Sequence, residues 1–136
     1  MPTDNSRLVV RRAHTGLGLF SLKDIPAGRR IVEYLGPIVT AEEVARRRGK
    51  YFFEINAELA IDGSARTNIA RYINHCCRPN AEAFITGRRI WIWSKKAIKA
   101  GDEITLDYGK AYFDDYIKPK GCRCGVCRAR ASKRTG

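Results

Sequence analysis

The run Arg71-Tyr72-Ile73-Asn74-His75-Cys76-Cys77-Arg78-Pro79-Asn80 places two amides, an imidazole, two thiols and a proline within ten residues. A plain connecting loop does not need that density of chemistry. Asn and His can hydrogen-bond a purine edge or a backbone group, and a thiolate can ligate a metal. His75 has a polar neighbour in Asn74 and a candidate co-ligand in Cys77, so the run reads as a functional site rather than a core histidine in a turn. Upstream, Thr15-Gly16-Leu17-Gly18-Leu19-Phe20 sets paired glycines ahead of a strand, where the backbone can approach a ligand that a Cβ would block. The third glycine and following helix of a dinucleotide fingerprint are missing, so a phosphate cradle is not expected. Downstream, Gly101-Asp102-Glu103-Ile104-Thr105-Leu106-Asp107-Tyr108-Gly109 reads as a turn and a strand ending in a tyrosine beside a glycine.

The 136 residues that hold these features suit one compact domain, with a core built from the 44% of apolar residues. Short apolar runs punctuated by Gly and Pro dominate and predict strands at 8–10, 17–21, 30–35, 37–39, 51–55, 83–85, 90–94 and 103–106. Thr86-Gly87-Arg88-Arg89 would fold the last of the aromatic runs back on Ala83-Phe84-Ile85 as a hairpin. Helix is expected only at 40–50, where Thr40 and Glu43 have capping-box spacing, and at 68–73. Arg46-Arg47-Arg48 then reads as a solvated helical face. The fold class is therefore mainly β with short helices.

Charge and cysteines narrow the partners. With 26 Lys and Arg against 14 Asp and Glu, the formal charge is +12, which attracts polyanions without naming one. No window approaches the ~18 apolar residues of a membrane span, and the first residues lack a signal core, so an intracellular protein with no membrane partner is expected. The five cysteines are odd in number and sit in two tight clusters, which favours metal ligation over a disulfide framework. Beyond Ile117 the chain is basic, with no acidic residue, and carries Cys122, Cys124 and Cys127.

Taken in order, these features resemble the SET-domain protein lysine methyltransferases. The blocks are Gly16-Leu17-Gly18, Glu33-Tyr34-Leu35-Gly36, the run from Arg71 to Asn80, Glu103-Ile104-Thr105-Leu106-Asp107-Tyr108, and the cysteine-rich Cys122-Arg123-Cys124-Gly125-Val126-Cys127. The resemblance implies a SET domain over residues 1–116, with its core at about 7–109, and a post-SET tail over 117–136. It implies a β-clip fold of small sheets, closed by a knot-like crossing that carries Tyr108 past Asn74 and His75. S-adenosylmethionine would lie on Gly16, Leu17, Gly18 and Leu19, with Tyr51, Asn74, His75, Tyr108 and Arg123 completing its walls. Tyr108 would serve the methyl-transfer centre, and Tyr34 would position the lysine. Leu106 and Tyr34 would line the channel. A structural zinc would take Cys77, Cys122, Cys124 and Cys127, leaving Cys76 unassigned.

The chemistry agrees with these assignments. A free lysine has a pKa of about 10.4, and a dry channel beside a sulfonium disfavours its charged form. Alignment in that channel, rather than a dedicated base, would supply most of the rate. Glu33 and Asp107 are expected to face away from their tyrosines, as neighbours on a strand do. Asp114 and Asp115 would draw a basic peptide to the channel mouth. Three departures from the family pattern bear on function. The Cys-x-Cys-x-x-Cys spacing tightens the zinc loop. Leu106 stands where a ring usually limits methyl count, which predicts that multiple methylation is permitted. Pro37 follows Gly36 where glutamate is frequent, and with no cysteine-rich segment ahead of the domain a minimal, free-standing enzyme is expected. The substrate would be a basic protein: a histone, a histone-like protein or a ribosomal protein. The location would be cytoplasmic in a bacterial or viral source and nuclear in a eukaryotic one. A rival reading is a basic, zinc-containing nucleic-acid binding module with a vestigial pocket; against it, the aromatic residues fall in apolar strands rather than on a basic stacking surface.

Overall fold

A computed structural model of the chain describes residues 6–13, 16–47 and 51–107. Tyr108, Arg123, Cys122, Cys124, Cys127 and the proposed tail lie outside the described residues. Among the described residues ten strands and two short helices run in the order β1 (Leu8–Ala13), β2 (Gly16–Ser21), β3 (Arg30–Tyr34), β4 (Ile38–Thr40), α1 (Ala41–Arg47), β5 (Phe52–Glu54), β6 (Leu59–Asp62), a 3-10 helix (Ile69–Tyr72), β7 (Asn74–His75), β8 (Ala81–Thr86), β9 (Arg89–Ser94) and β10 (Thr105–Leu106). They form four small sheets: β1-β2, β10-β7, β3-β9-β8 and β4-β6-β5. Among the described residues no helix is long and apolar enough to cross a membrane.

Local chemistry explains most of these elements. Gly87 has φ of 60° in the two-residue loop between β8 and β9, a conformation glycine adopts without a Cβ penalty, and it closes the predicted hairpin. Thr40 caps α1 by accepting a hydrogen bond from the Glu43 amide at 3.2 Å, so the helix starts where the sequence indicates. The expected 68–73 helix is the 3-10 turn. Strand β6 is absent from the sequence reading because it is the centre of its sheet, paired to β4 on one side and β5 on the other. Ala60, Ile61 and Asp62 are all buried there, which erases the alternation that betrays a half-exposed strand.

One core joins the sheets. Leu19, Ile31, Ile90, Ile92 and Ile104 have 0% exposure, with Ile25 and Ile98 at 1%. Each such side chain contributes about 1.5–3 kcal/mol by leaving water. Bridges Phe20↔Glu103 and Ile25↔Ile98 tie the chain's late segment to β2 and the loop after it. Strands β7 and β10 pair in parallel, Thr105 opposite Asn74 and Leu106 opposite His75. A parallel pair of two-residue strands has no local turn to close it, so this junction depends on the rest of the core. It brings the chain immediately before Tyr108 alongside the Asn-His run.

Candidate active site

Two walls converge on this junction. The first is polar and starts at β2. Gly16 and Leu17 are exposed, while Leu19 sends its side chain fully into the core, so only its backbone is available to a ligand. The Asn74 side-chain amide donates to the Leu17 carbonyl at 3.0 Å and to Glu103 Oε2 at 2.8 Å. A Cβ on Gly18 would sit 2.5 Å from that Glu103 oxygen and 3.2 Å from Asn74 Nδ2. Gly18 therefore makes room for this three-way polar contact. Glu103 and Asn80 are absent from the sequence-derived site. Asn80 donates to the Glu103 carbonyl at 2.8 Å and accepts from the Thr105 amide at 2.9 Å, which fastens β10 to the loop after β7. Their only sequence signal was membership in the two recognised blocks.

His75 lies beside Asn74, its ring 7% exposed, with Nδ1 3.9 Å from Asp107 Oδ1. Burial holds its pKa below the ordinary 6.5, while the Asp107 carboxylate pulls it up. The imidazole is thus neutral near pH 7. The Asp107 carboxylate turns toward His75; the tyrosine it is expected to face away from, Tyr108, lies outside the described residues. Cys77 is exposed, with Sγ 3.5 Å from His75 Nε2. Cys76 is buried, and its thiol donates to the Arg78 carbonyl at 3.5 Å. Among the described residues no cluster of three metal-ligating side chains forms. The other three proposed zinc ligands lie outside those residues.

The second wall is aromatic. Tyr34, 7% exposed, ends β3 and donates its hydroxyl to the Tyr51 carbonyl at 2.8 Å. Its ring meets Phe53 edge-on, with centroids 5.1 Å apart. A Cβ on Gly63 would lie 2.3 Å from the Tyr34 ring, so the ring rests directly on glycine backbone. Asn68, 1% exposed, accepts from the Leu35 amide at 2.9 Å and donates to the Gly63 carbonyl at 3.0 Å, holding both sides of that contact. The Gly63 amide also donates to the Tyr51 carbonyl, at 2.8 Å. Leu106, proposed for the channel, is 5% exposed and packs in the same core cluster as Tyr34. Glu33, as alternation requires, points away from Tyr34 and receives two hydrogen bonds from Arg89.

Tyr51 links the walls. The Arg71 guanidinium lies 4.2 Å from its ring centroid and 5.1 Å from that of Tyr72, and Arg71 Nε is buried with no hydrogen-bond partner among the described residues. Next to Tyr51 opens a small cleft of about 100 Å³ lined by Arg47, Tyr51, Phe52, Asp62 and Ser64. Arg47 is exposed, as expected of a solvated face, and its guanidinium also stacks on Phe52 at 5.0 Å and bonds Asp62 at 2.9 Å. Burial pushes the Asp62 pKa up, but hydrogen bonds from Ser64 and Arg47 outweigh it and hold the carboxyl below its ordinary 3.8.

The SET domain family profile matches residues 16–109 of the chain. The histone-lysine N-methyltransferase trithorax of Drosophila melanogaster is 35% identical over 134 residues, covering 89% of this chain and 4% of that protein. The H3 lysine-4 specific histone-lysine N-methyltransferase of Mycosarcoma maydis is 37% identical over 122 residues, 79% of this chain and 8% of that protein. Histone-lysine N-methyltransferase 2D of Homo sapiens is 37% identical over 138 residues, 93% of this chain and 2% of that protein. The chain thus spans less than a tenth of the length of each of these relatives. A solved structure of a humanized mutant of the Chaetomium thermophilum Polycomb Repressive Complex 2, bound to an inhibitor, superposes with a TM-score of 0.68 at 31% identity, over 75% of this chain and 15% of that chain. With the family profile covering residues 16–109, both walls included, the chain belongs to the SET-domain family.

Proposed function

We propose that the chain is an S-adenosylmethionine-dependent protein-lysine N-methyltransferase acting on a basic protein such as a histone. One observation carries this reading: the parallel β7–β10 pair draws the Gly16–Leu19 backbone, Asn74–His75 and the approach to Tyr108 into one place. The residues present fit the co-substrate. Arg71 Nε is a buried donor without a partner among the described residues, one that an amino-acid carboxylate would supply, and the exposed Gly16–Leu17 backbone, with open space at Gly16, is accessible to a ligand. Gly16, Leu17, Gly18, Tyr51, Asn74 and His75 would hold it, and when bound it supplies an electrophilic methyl group on a sulfonium. Tyr108 and Arg123 belong to the same proposed set.

The chain's own part is to orient and to exclude water. Because the Tyr34 proton is committed to the Tyr51 carbonyl, the phenol oxygen offers lone pairs and acts as an acceptor toward an amine N–H or a polarised C–H. Neutral His75 adds no positive charge beside the sulfonium. A channel walled by Tyr34, Phe53 and the core strips water from the lysine and favours its uncharged, nucleophilic form. Leu106 leaves space that permits more than one methyl group. Cys77 would join Cys122, Cys124 and Cys127 on zinc, and chelation would then lower activity by loosening the tail.

Incubation with labelled S-adenosylmethionine and core histones tests the reading. Label on lysine, lost in Tyr108→Phe with cofactor affinity retained, is the expected result. If the protein binds the cofactor yet labels no histone or other basic protein, the assignment fails.

A further inference from the structure

The outer face of sheet β3-β9-β8 takes no part in the site described above. Alternation sends Val32, Tyr34, Ile90 and Ile92 inward, and leaves Arg30 opposite Trp93 and Glu33 opposite Trp91 on the outer side. Phe84, opposite Trp91, joins them and is 49% exposed. Both tryptophans of the chain therefore stand on one solvent-facing surface. The Arg30 guanidinium lies 4.3 Å from the Trp91 centroid and 5.6 Å from that of Trp93, and Arg89 lies 4.8 Å from Trp91. Phe84 meets Trp93 edge-on at 6.2 Å. The aromatics do lie in strands, as the sequence indicates, but period-two alternation turns every second residue outward and so sets both indole rings beside arginines contributed by β3 and β9.

The cations around the rings choose the partner. Arg29 and Arg30 at one end of β3, Lys95 and Lys96 just past β9, and Arg88 at the hairpin tip surround the face, all exposed. Its acids are Glu33, already paired with Arg89 at 2.8 Å, and Glu82. An acidic peptide would meet the cations but leave the rings idle, and a duplex keeps its bases stacked within itself. Unpaired bases stack on aromatic rings and on guanidinium planes while phosphates meet flanking cations. We propose that this face binds single-stranded nucleic acid. Tyr34 lies on the opposite side of β3, so the transfer site stays open while the face is filled, and failure of this proposal leaves the enzymatic reading standing.

The two tryptophans report directly. Titration with oligothymidylate is expected to quench their emission in step with fluorescence anisotropy of the labelled strand, and affinity should fall as salt rises. Trp93→Ala should weaken binding about tenfold, with histone methylation and melting temperature retained. Arg30→Glu with Arg88→Glu should reduce the log–log salt slope by about 1–2. The pair Lys23→Glu and Arg46→Glu changes net charge equally, away from the face, and should leave that slope nearly unchanged. Equal losses in both pairs, equal quenching by polyglutamate, or tighter binding of a duplex of matched length would each overturn the proposal.

Discussion

Glycine holds open both walls of the site, but against different obstacles. At Gly18 the nearest atom to a built Cβ is Glu103 Oε2, the free end of a flexible side chain, followed by Asn74 Nδ2 and the Ala13 methyl at 3.2 Å. At Gly63 the nearest atoms belong to the Tyr34 ring, which is buried, hydrogen-bonded at its hydroxyl and packed on Phe53. The polar wall can yield by rotating a carboxylate, while the aromatic wall can yield only by moving a strand. Added volume at the first should therefore change binding, and at the second should change folding.

The largest expected effect is Gly63→Ala. Displacing a packed ring costs about 3 kcal/mol or more, and thermal unfolding followed by circular dichroism should show a drop of about 10 °C. A melting temperature within experimental error of the parent would mean that the Tyr34 wall is soft and the contrast false. Next comes Asn68→Ala, which strands the Leu35 amide and the Gly63 carbonyl in the interior and should cost about 2 kcal/mol in urea unfolding. Gly18→Ala should reverse the pattern. Cofactor affinity by calorimetry should weaken about tenfold, or about 1.4 kcal/mol, while the melting temperature moves little. A folding defect as large as that of Gly63→Ala would erase the distinction between the walls.

The smallest effect concerns the cleft beside Tyr51. Because the Asp62 pKa is lowered on folding, its contribution to stability is complete above about 3.8 and is lost as pH falls through the still lower folded value. Replacement by asparagine removes that proton linkage. The stability of Asp62→Asn, measured by denaturant titration at stepped pH below 4, should fall less steeply with acid than that of the parent.

Much of this architecture is legible from residue order. Strand runs bounded by Gly and Pro, the Thr40 cap and the Gly87 turn all rest on interactions within a few positions, so local sequence carries them. Strand β6 is not legible, because burial on both faces removes its periodicity. Nor is the pairing of β7 with β10, since two residues hold no pattern. The pairing of exposed Arg47 with Asp62 is hidden for a similar reason: the partner is 15 positions away, on a strand the pattern does not reveal.

Residue order by itself determined which chemical groups are available: the Asn-His run, the paired glycines, the tyrosines, the cysteines and the excess of positive charge. Only the tertiary structure decided which of them meet. Glu103 finds Asn74 across 29 positions, Asn80 holds Thr105 across 25, and Arg30 stacks on rings from another strand. The physical reason is that a side chain's type sets what it can bond, whereas its partner is selected by burial and strand register, which arise only when the whole core closes.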